Sequence, residues 1–307
     1  MDNASSHCCK KIMLQATGFG TGVGKSFLVA LLCKLFSQDG HKVAPYKTLN
    51  LTPVTYVKDG KEFGYAQALQ ARAAGTEPDY RMNPLTPKPL GNGRFDIFLK
   101  GECVEKDYDP RRDFIKMTFK QMVGLQGEYK RIEDAAKECL ASLSREYDII
   151  CIEGSGPAKL LGLGALSRLL EVANMETARI ADALVLLITP NMDSVPQTLS
   201  YLEKEEQKRI KGVIINKCPI NALAAMGIGE GIINLGLKRI GQVYGREIGV
   251  EILGILPYFE ELSKLPELDP LVPSPKVPFD VWDEIISDIA EKARKYIRLD
   301  KIYRIME

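Results

Sequence analysis

The sequence predicts an α/β chain with a doubly wound, mostly parallel sheet and crossover helices. Three observations lead there. Short runs that are apolar at nearly every position recur along the 307 residues, and most are followed by an amphipathic segment. A glycine-rich stretch separates the first run from the first amphipathic segment. The composition, 45% hydrophobic and 26% charged, is that of a globular protein and excludes disordered or collagen-like architecture. A chain of this length buries enough surface to fold without disulfide or metal staples.

The apolar runs are 12–17, 42–46, 149–153, 183–189, 212–216 and 251–256. Such runs read as strands covered on both faces. Between them, 25–38, 63–74, 113–146, 194–207 and 231–243 have the pattern of crossover helices. Two regions break the rhythm. Residues 76–110 are rich in Pro and Gly, with one strand expected at 95–100, and read as a lid-like insertion. Five prolines, from Pro266 to Pro278, preclude regular structure there. A terminal helix is expected over 279–297, followed by a tail. The predicted organisation is a nucleotide-binding domain over 1–265, then a proline-rich linker and C-terminal helix over 266–307.

Lys plus Arg total 41 against 40 Asp plus Glu, which speaks against binding nucleic acid through bulk charge. Seven scattered cysteines fit a reducing compartment. Cys8–Cys9 beside His7 lacks a second cluster at metal-ligand spacing. No run approaches the ~20 apolar residues of a membrane span. The expectation is a cytoplasmic protein with neither membrane nor nucleic acid as partner.

The strongest signal is Gln15-Ala-Thr-Gly18-Phe-Gly20-Thr21-Gly22-Val23-Gly24-Lys25-Ser26, after a strand and opening a helix. Glycines let backbone N–H groups converge on a polyphosphate, and the helix N-terminus adds positive potential. Lys25 would reach the terminal phosphates and the Ser26 hydroxyl would ligate Mg2+. Gly20, Thr21, Gly22, Val23 and Gly24 complete the expected ATP contacts. Phe19 stands where the usual first glycine would be, so Gly18 leaves five intervening residues before the Gly-Lys pair.

That spacing resembles the loop of dethiobiotin synthetases and of the ATP-binding domain of cobyric acid and cobyrinic acid diamide synthases. Further blocks are similar to cobyric acid synthases in the same order. They are Ala44-Pro-Tyr-Lys47-Thr-Leu-Asn50, Asp59-Gly60-Lys-Glu62-Phe-Gly64-Tyr-Ala66-Gln67, Met82-Asn83-Pro84 with Lys88-Pro89, and Ile152-Glu153-Gly154-Ser-Gly156. Asn174-Met175, Ile215-Asn216-Lys217 and Leu253-Gly254-Ile-Leu-Pro257-Tyr258 complete the series. The resemblance implies a dethiobiotin synthetase-like P-loop NTPase fold and an ATP-dependent carbon–nitrogen ligase with a small carboxylate or diamine substrate.

It also implies site roles. Glu153 ends a buried strand, where a lone carboxylate is costly unless paired or metal-bound, and the resemblance makes it a Mg2+ ligand with Ser26 and Glu62. Glu62 otherwise reads as a solvated loop residue, and Glu153 as a helix cap. Lys47 is placed to neutralise charge on a transferred phosphoryl group, or else snorkels at a strand end. The resemblance puts Asn216 and Pro257 on the nucleotide, whereas turn chemistry alone would also account for Asn216. Lys88 meets a substrate carboxylate or simply lies on the insertion.

The match departs from the family at three places. The sequence ends about 50 residues past Pro257, leaving no room for the glutamine-hydrolysing domain of cobyric acid synthases. Ammonia would come free or from a separate glutaminase subunit. Residues 157–171 and the segment Thr189-Pro190-Asn191-Met192-Asp193 differ from the family's polar substrate-side runs. Homodimerisation is implied by the dethiobiotin synthetases. A nucleotide-dependent switch and an orphan ATPase subunit are the alternatives of another class. The switch ATPases carry an extra lysine early in the loop, which this sequence lacks.

Overall fold

The structure, a computed structural model, describes residues 8–18, 22–109, 119–158, 173–266 and 274–307, with only the backbone of 119–129. All six expected main strands form. They are β1 (Lys10–Ala16), β2 (Val43–Tyr46), β8 (Ile149–Pro157), β9 (Leu184–Thr189), β10 (Ile210–Cys218) and β11 (Ile252–Pro257). They make one parallel sheet in the order β2-β8-β1-β9-β10-β11. Between β1 and β9 the direction of chain travel reverses, so the carboxyl end of β1 lies at the switch point, where such sheets bind ligands.

Helices cover both faces. On one side α1 (Lys25–Gln38), α2 (Tyr65–Ala74), α9 (Phe279–Ala293) and α10 (Leu299–Met306) share a core with Ile12, Leu14, Ile188 and Ile214. On the other, α3 (Phe119–Leu143), α4 (Met175–Ala181), α5 (Ser194–Tyr201) and α8 (Glu230–Ile248) pack on Met13, Ile150, Ile152 and Leu187. Alternate residues of β1 thus enter opposite cores, the period-2 rule of a doubly covered strand.

Several boundaries differ from the sequence reading. Phe63 and Gly64 belong to a strand, β4 (Lys61–Gly64), hairpinned with β3 (Thr55–Lys58). Its turn residues Asp59 and Gly60 both have positive φ, the conformation an Asp-Gly pair favours in tight hairpins. The insertion holds three antiparallel strands rather than one: β5 (Leu85–Gly91), β6 (Arg94–Leu99) and β7 (Glu102–Tyr108). The segment 194–207 breaks at Leu202, which is extended, and Glu203 restarts a helix, α6 (Lys204–Arg209), with a capping box. A short helix, α7 (Ile220–Ala225), precedes α8.

The terminal helix stops at Ala293, because Ile297 turns extended to bridge Gly254 of β11. The expected tail is helical instead: α10 buries Ile302 and Met306. Trp282 Nε1 donates to the Leu69 carbonyl at 2.7 Å, and the Phe279 ring stacks on Tyr65, so α9 is pinned to α2. No described helix is long and apolar enough to cross a membrane.

Candidate functional site

The carboxyl ends of β1, β2, β8 and β10 gather most of the side chains singled out above. Gly24 caps α1 with φ +91°. A Cβ there would lie 2.5 Å from Asn216 Nδ2, so glycine is required by both conformation and space. Asn216 Nδ2 donates to the Val23 carbonyl at 2.9 Å, and Lys217 Nζ to the Gly22 carbonyl at 2.7 Å. The end of β10 therefore clamps the phosphate loop from its backbone. Pro257 ends β11 and pairs with Cys218, beside this clamp. Gly20, Thr21 and residues 159–171 lie outside the described residues.

Glu153 is the centre of the site. It is 2% exposed, yet its Oε1 accepts from Ser26 Oγ at 2.8 Å and from Lys47 Nζ at 2.6 Å. Its Oε2 accepts from Gln70 Nε2 at 2.6 Å. Burial pushes the carboxyl pKa up, but the Lys47 charge and these three hydrogen bonds outweigh it and hold the group below its ordinary value. Lys25 is also buried, at 8% exposure. Desolvation brings its ammonium down to about 8, with Glu153 opposing that shift and Lys47 adding to it. Two cations and one anion in a desolvated pocket leave positive potential where a polyphosphate would sit.

Glu62 is held apart from this cluster. Its Oε1 accepts from Thr55 Oγ1 and from Lys88 Nζ at 2.7 Å, and Lys88 lies over the Phe98 ring. The structure thus brings together Ser26, Lys47 and Glu153, and pairs Glu62 with Lys88 on the insertion side. Among the described residues no three His, Cys, Asp or Glu side chains form a metal cluster. Ser26 and Glu153 nevertheless fit magnesium. A hydroxyl and an ionised carboxylate in contact supply hard oxygen donors, and Mg2+ takes its remaining ligands from water and phosphate.

Three features escaped the sequence reading. Gln70 lies one helical turn beyond Gln67, and two buried glutamines at i, i+3 on one face were the available signal. Lys217 stands in the Ile215-Asn216-Lys217 block without a role of its own, and its positive φ turns it back over the loop. Thr17 Oγ1 and Ser194 Oγ lie 2.7 Å apart and tie the end of β1 to α5, a contact across 177 residues that no local pattern reveals. A groove of about 860 Å3 lies elsewhere, between α8, β11 and Lys295–Arg298, and includes none of these residues.

The family model described as the CobQ/CobB/MinD/ParA nucleotide binding domain matches residues 14–271. Cobyric acid synthase of Clostridium perfringens (strain SM101 / Type A) is 34% identical over 259 residues, covering 82% of this chain and 46% of that protein. A probable cobyric acid synthase of Methanothermobacter thermautotrophicus is 35% identical over 268 residues, covering 85% and 47%. The chain spans about half the length of these curated relatives. Among solved structures, the septum site-determining protein MinD of Pyrococcus horikoshii, complexed with Mg-ADP, is similar at 15% identity and a TM-score of 0.42, covering 97% of this chain and 99% of that one. On the family match over residues 14–271, the chain belongs to the CobQ/CobB/MinD/ParA nucleotide-binding domain family.

Proposed function

We propose that the protein is a Mg·ATP-dependent carbon–nitrogen ligase that phosphorylates a small-molecule carboxylate, most like the ATP half of a cobyric acid synthase. The observation that carries this reading is the Lys47–Glu153–Ser26 contact at 2.6 and 2.8 Å, placed beside the phosphate loop. Similarity to cobyric acid synthases over 82% of the chain supports it.

The residues divide the work by position. Loop N–H groups and Lys25 bind the polyphosphate and fix the γ-phosphoryl group for in-line attack by the acceptor carboxylate. Ser26 and Glu153 would hold magnesium, while Glu62, the other carboxylate the resemblance names for the ion, is paired with Lys88 on the insertion side. That ion neutralises phosphate charge when bound. Lys47, just past the strand beside β8, stabilises charge on the transferred group. Asn216 and Pro257 line the base side of the loop. Ammonia or an amine then displaces phosphate to give the amide. A homodimer and a separate source of ammonia belong to the same reading.

Phosphate release from Mg·ATP by the purified protein tests it, with Lys25→Ala as the blank. Stimulation by ammonia plus a corrinoid acid, lost in the variant, is expected. Stimulation instead by bicarbonate plus 7,8-diaminononanoate would place the protein with dethiobiotin-type cyclo-ligases. ATP turnover indifferent to every acceptor would overturn the ligase and favour a nucleotide switch or a partner-dependent subunit.

A further inference from the structure

The two oxygens of Glu153 are engaged differently. Oε1 receives Ser26 and Lys47, the groups nearest the expected phosphates, while Oε2 receives Gln70 at 2.6 Å. The same Gln70 Nε2 also lies 3.1 Å from the Ser26 carbonyl, so one amide group ties the carboxylate to the first turn of α1. Behind it the donors line up in one direction. Gln67 Nε2 donates to Gln70 Oε1 at 3.4 Å, and Asn50 Nδ2 donates to Gln67 Oε1 at 2.9 Å. All three amides are buried.

The local sequence makes room for this chain. A Cβ on Gly64 would come within 2.3 Å of Asn50 Nδ2, 2.6 Å of Gln67 Oε1 and 2.8 Å of Asn83 Oδ1. Asn83 Nδ2 in turn donates to the Lys47 carbonyl at 2.9 Å. The amides that back Glu153 thus share a packed cluster with the one that holds Lys47's backbone. A buried amide chain whose members are all paired is rigid, because breaking one link strands a polar atom without water.

We propose that Gln70, backed by Gln67 and Asn50, is a positioning residue that fixes the Glu153 carboxylate through Oε2 and so presents Oε1 to nucleotide-bound magnesium. This rests on the reading of Glu153 as a magnesium-side ligand. The competing account is that the amides merely glue α2 to α1, and it predicts a different result. A positioning role alters only the magnesium-dependent part of nucleotide affinity, whereas a glue role alters stability and all binding together.

The experiment measures the affinity of the full-length protein for N-methylanthraniloyl-ADP, with magnesium chloride and with EDTA. The proteins are wild type, Gln70→Met and Gln67→Met, each checked by thermal melting. Wild type is expected to bind tighter with magnesium. Gln70→Met should lose about tenfold or more of that gain, as supporting partners of metal ligands do, with EDTA affinity within about twofold of wild type, since it leaves the loop and Lys25 intact. Gln67→Met should lose a smaller part.

A folded Gln70→Met with the full magnesium gain overturns the proposal, as does an equal loss with and without magnesium. Should Gln70→Met not fold, Gln67→Met decides, and an undiminished gain there overturns it. Absence of any magnesium gain in wild type would instead remove the reading of Glu153, and the role of Gln70 with it.

Discussion

At the scale of single residues, the site holds charges that stability alone would not choose. The Lys25 ammonium sits at about 8 against an ordinary 10.5, mainly because it is desolvated. An ammonium pKa lower in the folded than in the unfolded chain means that the unfolded state binds more protons between those values. The penalty is therefore full below about 8 and is relieved as pH rises towards 10.5. At about 1.4 kcal/mol per unit it amounts to ~3 kcal/mol. Lys25→Met should raise the melting temperature of the nucleotide-free protein at pH 7 by several degrees, and this gain should shrink between pH 8 and 10. The same variant should lose nucleotide binding. Thermal melts across that pH range check the sign, and a variant less stable than wild type at pH 7 contradicts it.

Among the elements, α9 carries the most consequence for the site although none of its residues enters it. Trp282 is 5% exposed, and its indole donates to Leu69 in the helix that also carries Gln67 and Gln70. Trp282→Ala removes a large buried side chain and the indole hydrogen bond to the Leu69 carbonyl. It should lower the unfolding free energy by ~3–5 kcal/mol, read as a fall in the urea midpoint. Legibility also divides at this scale. Six strands and the phosphate loop were readable because each is a local pattern, an apolar run or a glycine spacing before Gly24-Lys25-Ser26. The β3–β4 hairpin was missed although Asp59-Gly60 announced it, because the apolar residues after it also fit a helix. The partners of Glu153 were only half legible. Ser26 followed from the phosphate-loop motif and Lys47 from its place past a strand together with the resemblance, whereas Gln70 reaches the carboxylate across 83 residues, a contact that no window of sequence contains.

For the whole molecule, burial is uneven. The sheet and the α1–α2–α9 layer are dry, while α8 leaves Ile232 and Leu235 each 70% exposed and buries only Ile233. The nucleotide site lies in the dense half. Its assembly also has an order in time. The contacts that satisfy Glu153 span 127 residues to Ser26 and 106 to Lys47, and β8 must slot between β1 and β2 before any of them exists. A chain emerging from the ribosome therefore displays the phosphate loop long before it can use it. Until residues 149–153 arrive, β1 and β2 have no strand to join them and the two lysines have no counter-charge. Chains ending at residue 147 should fail to retain a nucleotide analogue, and the full-length chain should retain it. Retention by the shorter chain would show that the loop binds ahead of its sheet. For this topology, ATP in the cell can stabilise the finished fold but cannot guide its first half.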